Sequence, residues 1–328
     1  MNEKIVVLGA GAWGTALANL AARGGRPVRL WARDAGHVAE MRARRVNERR
    51  LPGAPLAASI EPVSDLSVVA DATIVVSAVP AQTMRATARA AASFLRDGVD
   101  WIICAKGVER GTHAFLSEVL AAEAPGAVAS VLSGPSFAED VAAGLPTAVT
   151  LAARDADRAQ RLGRAFDSAN FRLYRSTDVR GAEIGGAAKN VLAIACGITA
   201  GRRLGASAVA ALTARGFAEL SRFGRAFGAQ PETLMGLSGL GDLVLTCSSM
   251  QSRNFAFGHA LGEGAALERA GGGKLAEGAF TARALVELAA SRGVEMPICA
   301  VVDAIVAGQA TIDEAIASLL LRPVKSEV

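Results

Sequence analysis

Residues 6–20 read VVLGAGAWGTALANL. An unbroken aliphatic run stops at Gly9, glycines recur at Gly11 and Gly14, and an Ala/Leu-rich stretch of helical character follows at once. This GxGxxG spacing restricts the fold more than any other feature, because it asks for a buried strand, a tight turn and a helix in immediate succession. Each glycine has its own task there: Gly9 permits the turn, Gly11 lets the backbone approach a pyrophosphate, and Gly14 lets the helix pack on the strand. The helix start supplies unpaired N–H groups and the positive end of the helix dipole. In that context the motif predicts a bound dinucleotide. The same glycines in a loop would predict only a turn.

The first half of the chain continues in this way. KIVVLGA (4–10), PVRLWAR (27–33), DATIVVSAVP (71–80), WIICAKG (101–107) and VASVLSGPS (128–136) read as five strands separated by helical stretches. Strands spaced by helices make right-handed βαβ units and hence a doubly wound parallel sheet of the Rossmann type. From about residue 179 the pattern changes. IGGAAKNVLAIACGITAG, AVAALTARGFAELSRFGRAFG, AFTARALVELAASRG and ATIDEAIASLLLR all read as helices rich in Ala and Leu, with no second set of strands. A chain of 328 residues, 51% hydrophobic and 20% charged, exceeds one ordinary core. The expectation is an α/β chain, with a dinucleotide-binding domain over 1–178 and an all-helical substrate and catalytic domain over 179–328.

Several function classes are excluded at this level. The net charge is only +4, and the densest basic cluster, RARRVNERR at 42–50, is short and lacks interleaved aromatics. It reads as a solvated surface rather than a nucleic-acid tract. A mildly basic balance suits an enzyme that handles small anions. Cys104, Cys196, Cys247 and Cys299 are widely spaced with no CxxC pair, and His37, His113 and His259 are equally scattered, so neither a disulfide framework nor a metal site is expected. No charged-then-apolar leader opens the chain, so no signal peptide is expected. No charge-free run of membrane-spanning length is evident, and DVAAGLPTAVTLAA is short and broken by Pro146.

The end of the second strand bears on the cofactor. An acidic residue there would grip an adenosine ribose, but the positions read Ala32 and Arg33, and an arginine can pair with a 2′-phosphate and stack on adenine. NADP is therefore favoured, while Asp34 next door keeps NAD open. A nicotinamide enzyme acting on an alcohol also needs a base for the hydroxyl proton. No histidine is well placed for this. The 35 basic residues are mostly arginine, which makes Lys106 and Lys189 conspicuous in their Gly-rich, apolar settings. A lysine can serve as the base if burial or a neighbouring cation lowers its pKa. Lys106 closes a strand on the carboxyl edge, where ligands bind in such sheets, and Lys189 precedes Asn190 on the first long helix of the second half. A third cluster, GLGDLVLTCSSMQSRN (239–254), gathers Asp242, Thr246, Ser252, Arg253 and Asn254. Ser252 could simply cap the next helix, or that helix start could hold a phosphate.

Together these segments resemble the bacterial NAD(P)-dependent glycerol-3-phosphate dehydrogenases. The resemblance rests on GAGAWGTALA (9–18), KGVE (106–109), SGPSFAEDVAAGLPTAVTLA (133–152), EIGGAAKNVLAIACGI (183–198), TARGFAELSRFG (213–224), GLSGLGDLVLTC (236–247), SRN (252–254), AEGAFTA (276–282) and VEMPI (294–298), in family order over nearly the whole chain. It implies a cytoplasmic homodimeric enzyme that interconverts sn-glycerol 3-phosphate and dihydroxyacetone phosphate with NAD or NADP and supplies phospholipid synthesis. It implies that Lys189 is the proton acceptor on the C2 hydroxyl, oriented by Asp242 and Thr246, and that Lys106 touches both cofactor and substrate. By the same resemblance Gly134, Ser136, Asp242, Ser252, Arg253 and Asn254 contact substrate, while Ala12, Trp13, Arg33, Ala138, Arg253, Leu275 and Glu277 join the glycines at the cofactor. The chain departs from the family pattern at Ala200 and Ser207, where Asp and Asn are common, and at Phe255, which replaces an arginine. Two rivals share parts of this pattern: another two-domain dehydrogenase acting on a 3-hydroxy acid or sugar acid, and a cofactor-binding sensor without turnover. The GLGDLVLTC…SRN block opposes the first, and the presence of Lys106, Lys189, Asp242 and Arg253 together opposes the second.

Overall fold

The computed structural model describes residues 3–166, 168–271 and 276–323. Ten strands are found among them: β1 Ile5–Leu8, β2 Val28–Trp31, β3 Val46–Asn47, β4 Leu51–Pro55, β5 Ile60–Val63, β6 Ile74–Ser77, β7 Asp100–Ile103, β8 Val128–Ser133, β9 Thr147–Ala153 and β10 Phe171–Ser176. Eight form one sheet in the order β10-β9-β8-β7-β6-β1-β2-β5, and β3 and β4 make a separate two-stranded ribbon. The six strands from β5 to β8 are parallel, and in chain order they give the 3-2-1-4-5-6 arrangement of a dinucleotide-binding sheet.

The five strands expected from the sequence are β1, β2, β6, β7 and β8. β5 completes the parallel set. Beyond β8 the sheet turns mixed, since β9 runs antiparallel to β8 and carries β10 parallel to itself. Among the described residues of this half lie six α-helices: α1 Ala12–Ala21, α2 Ala35–Arg44, α3 Met84–Ala92, α4 Leu116–Glu123, α5 Ala138–Ala142 and α6 Ala156–Gly163. Buried aliphatic clusters fill both faces of the sheet, as a doubly wound architecture requires.

The second half is helical throughout its described residues: α7 Val179–Gly201, α8 Ala206–Ala226, α9 Pro231–Met235, α10 Asp242–Cys247, α11 Arg253–Gly262, α12 Leu267–Ala270, α13 Glu277–Ala290, α14 Pro297–Val306 and α15 Ile312–Leu320. α7 is its axis. It is long and apolar enough to cross a membrane, yet 89% of its apolar window is buried inside the protein. Small residues explain how so many helices approach it. A Cβ on Gly197 would come within 2.1 Å of the Phe255 carbonyl oxygen, and one on Gly258 within 2.1 Å of that of Ile194, so α7 and α11 touch backbone to backbone. Phe255 is buried in this helical core, so at that departure from the family pattern the chain has packing where a charge is common.

Glu219 ties α8 to α14. Its carboxylate accepts the N–H groups of Ile298 (2.8 Å) and Cys299 (3.4 Å) at the start of α14. Burial pushes its pKa from 4.5 up to about 7, against the pull of those two N–H groups and of Arg222 and Arg322. The folded state thus holds a proton that the unfolded chain has already released, and stability is lost as pH rises from about 4.5 to about 7. Glu219→Gln, which mimics the protonated group, is expected to flatten this dependence. Melting temperatures at pH 5 and pH 8 check it, and an unchanged slope in the variant would count against the assignment.

Candidate active site

The carboxyl edge of the parallel strands carries most of the residues singled out above. Gly9 leaves β1 at φ +106, and a Cβ there would sit 2.9 Å from the Ala78 carbonyl at the end of β6. A Cβ on Gly14 would lie 1.9 Å from the Gly9 oxygen, so helix and strand pack only with glycine present. Gly11 differs: nothing lies within 4 Å of where its Cβ would be. The start of α1 at Gly11 also has no side-chain cap. Open space over an uncapped helix start is what a dinucleotide pyrophosphate needs, so these residues fit the cofactor that the motif implies. Ala12, Trp13 and Ala138 lie partly buried beside this turn, packed against the same core. Arg33 is exposed just beyond β2. Asp34 is committed elsewhere, with Oδ1 accepting the Gly36 and His37 N–H groups to cap α2 and Oδ2 pairing with Arg49 at 3.1 Å.

Lys106 follows β7 and meets α7 and α10. Its Nζ donates to Asp242 Oδ2 at 2.6 Å and to the Gly134 carbonyl at 3.2 Å. Lys189, on α7, donates to Asp242 Oδ1 at 2.6 Å and to Thr246 Oγ1 at 2.8 Å. One carboxylate, 1% exposed, therefore bridges two ammonium groups. The local backbone makes this possible. Glycines at 185 and 186 let α7 lie against Ser238, Ser133 and the Lys106 stem, since a Cβ on Gly185 would come within 2.2 Å of the Ser238 oxygen. A single wide π-type turn, Leu237–Gly241, then delivers Asp242 as the first residue of α10.

Burial pushes the Lys189 pKa down to about 8; Asp242 works against this and Lys106 with it. A lysine in that range exchanges a proton near neutral pH. The Thr246 hydroxyl donates to the Asp242 backbone carbonyl at 2.6 Å, leaving a lone pair for Lys189. Among the described residues Asp242 and Thr246 thus take two of the three Nζ hydrogens of the Lys189 ammonium.

The SRN segment opens α11. Ser252 Oγ accepts the Phe255 N–H at 3.2 Å and is the N-cap, while Arg253 is exposed at the first helical position. Asn254 is buried: its amide donates to Asn190 Oδ1 at 3.0 Å and accepts the Gly278 N–H at 2.8 Å. Asn190 in turn reaches the Lys106 carbonyl at 3.4 Å. The sequence offered no role for Asn190 beyond its place next to Lys189, yet it links three helices behind the lysine pair. Ser136 is bonded to the Gly134 carbonyl. Glu277 starts α13 and accepts the Ala81 N–H at 3.3 Å, joining the helical half to the loop after β6. Burial holds its carboxyl above the usual range, against that N–H and the charges of Arg253, Lys106 and Lys189. Leu275 lies outside the described residues. Cys104, beside Trp13 and Lys106, is pushed up to about 12 by burial and stays a thiol. Among the described residues no group of three metal-ligating side chains occurs.

Two family descriptions match the chain: the NAD-dependent glycerol-3-phosphate dehydrogenase N-terminus over residues 4–159 and the corresponding C-terminus over residues 178–317. The chain belongs to this family. A glycerol-3-phosphate dehydrogenase [NAD(P)+] of Azorhizobium caulinodans is 63% identical over 325 residues, covering 99% of this chain and 98% of that protein. The glycerol-3-phosphate dehydrogenase structure from Coxiella burnetii superposes with a TM-score of 0.93 at 39% identity, covering 98% of this chain and 99% of that one. A ketopantoate reductase from Ralstonia eutropha, at 19% identity and a TM-score of 0.65, shares the fold alone. Family membership removes the sensor and hydroxyacid rivals and makes NAD or NADP the cofactor.

Proposed function

We propose that the Lys106–Asp242–Lys189 cluster is the reaction centre for interconverting sn-glycerol 3-phosphate and dihydroxyacetone phosphate. The observation that carries this is a buried lysine with a pKa of about 8, held by Asp242 and Thr246, with Lys106 on the other oxygen of the same carboxylate. When bound, the nicotinamide ring supplies or takes up the hydride. In alcohol oxidation neutral Lys189 accepts the C2 hydroxyl proton, and in ketone reduction its ammonium protonates the developing alkoxide. The fixed charge of Lys106 disfavours a second ammonium beside it and polarises the ketone oxygen. The substrate phosphate is assigned to the start of α11, where Ser252 accepts a backbone N–H yet keeps its own hydroxyl proton to donate, beside the exposed Arg253 guanidinium. Asn254, Gly134 and Ser136 complete that side.

Gly9, Gly11, Ala12, Trp13 and Gly14 are assigned to the cofactor, with Ala138, Leu275, Glu277 and the two shared residues Lys106 and Arg253. The commitment of both Asp34 oxygens supports Arg33 as a 2′-phosphate partner and so favours NADP. In this reading residues 1–178 bind the cofactor and residues 179–328 the substrate, in a cytoplasmic homodimer that feeds phospholipid synthesis. The test is oxidation of NADPH and of NADH with dihydroxyacetone phosphate, beside keto-acid and sugar-acid controls. Turnover is expected with dihydroxyacetone phosphate alone, and its absence sinks the proposal. Arg33→Ala should weaken NADPH more than NADH, and equal losses would overturn the 2′-phosphate assignment.

A further inference from the structure

The arginine-rich stretch RARRVNERR was expected to be solvated, but one residue within it is not: Asn47, at the end of β3, is 0% exposed. Its amide nitrogen donates to the Ala10 carbonyl at 3.0 Å and to Thr15 Oγ1 at 2.7 Å. Its oxygen lies 2.8 Å from His37 Nε2. Thr15, also 0% exposed, lies 2.8 Å from the Gly11 carbonyl through its hydroxyl. These contacts fix every proton. Both amide hydrogens of Asn47 are used, so His37 must donate from Nε2, and the Thr15 hydroxyl, accepting from Asn47, must donate to Gly11.

We infer that Asn47, braced by His37 and acting with Thr15, is the positioning residue of the pyrophosphate turn. In a trans peptide the C=O and the following N–H point opposite ways. Tying back the Ala10 carbonyl aims the Gly11 N–H outward, while the Gly11 carbonyl accepts the Thr15 N–H at 3.0 Å as the first bond of α1, which aims the Ala12 N–H outward, and the Thr15 hydroxyl adds a second bond to that carbonyl. Both then face the open space over Gly11. The same network reaches the other end of the cofactor site, because the His37 N–H is one of the two that Asp34 caps beside Arg33. A short ribbon from an otherwise charged segment thus sets both the phosphate turn and the strand end beside it before any ligand arrives. The cost of leaving the Ala10 carbonyl untied falls on cofactor affinity rather than on proton transfer at Lys189.

This inference rests on the reading that the glycine turn holds NAD(P). The experiment is calorimetric titration of the full-length protein with NADPH, with steady-state kinetics alongside. Asn47→Ala is expected to raise Kd by about tenfold or more, as for one or two lost hydrogen bonds. Its kcat at saturating cofactor and its KM for dihydroxyacetone phosphate should stay within about twofold, since neither depends on the phosphate turn. His37→Gln, whose amide N–H stands in for Nε2–H, should keep most of the affinity that His37→Ala loses. A merely structural role would lower the titration stoichiometry, which counts folded sites, and leave Kd unchanged. If Asn47→Ala does not fold, the His37 pair decides, with the same split expected. Wild-type protein that fails to bind NADPH would refute the cofactor reading itself. Wild-type binding with unchanged Kd in the folded variants would refute the role of Asn47.

Discussion

Replacing Lys189 with methionine lowers kcat in both directions by about 10²–10⁴-fold, the usual contribution of a positioned general acid–base group. Methionine keeps the apolar stem that α7 buries, so no cavity opens in the helical core, and Lys106 still pairs with Asp242 Oδ2. The glycine turn lies between β1 and α1 rather than on α7, so NADPH affinity should hold. Lys189→Arg separates charge from proton exchange: it retains a cation beside Asp242 but cannot deprotonate near neutral pH. It should be nearly as impaired as the methionine variant. Single-turnover rates of NADPH oxidation measure the chemical step directly. A near-normal rate in either variant would remove Lys189 from the proton transfer.

Physical reasons separate what the sequence revealed from what it hid. β1, β6 and β7 are buried at every position, β1 and β6 opening on unbroken aliphatic runs and β7 carrying Trp101, Ile102 and Ile103. β5 carries Pro62 within only four residues, and β10 is an edge strand whose pattern, FRLYRS, leaves three of six positions exposed. Neither reads as an apolar run, so the third parallel strand and the outermost strand were not legible, while β9, an apolar and largely buried run, gives no sign in its sequence of running antiparallel to β8. At the site, Lys106 and Lys189 stood out because a lysine in an apolar setting is costly unless it is used. Their shared carboxylate depends on the wide turn at Leu237–Gly241, a backbone feature that leaves no periodicity to read. Asn47 was hidden for a related reason: its burial is set by β3 lying under the glycine turn, while its arginine neighbours present the character of an exposed face.

Asp242→Asn should move the pH dependence of the reaction rather than simply abolish it. In the wild type Lys189 titrates at about 8. The rate of ketone reduction, which needs the ammonium, should therefore fall as pH rises through about 8, and the rate of alcohol oxidation, which needs the amine, should rise through the same region. Asp242 is the group that pulls this value up, through its charge and its hydrogen bond, while burial and Lys106 pull it down. Removing the carboxylate charge leaves only the lowering influences, so the limb should shift toward acid by about 1–3 units, the range for losing an opposite charge at contact distance. At pH 7 the variant's lysine is then about half neutral for a one-unit shift and almost wholly neutral for three. Ketone reduction should drop by about twofold to 100-fold across that range, while alcohol oxidation at that pH loses less than its loss of orientation alone would cost. Profiles of kcat/KM in both directions from pH 5.5 to 9.5 would decide it. A limb that stays in place in the variant means that Asp242 orients the two lysines without setting the charge of either, and the proton chemistry assigned to this carboxylate would have to be given up.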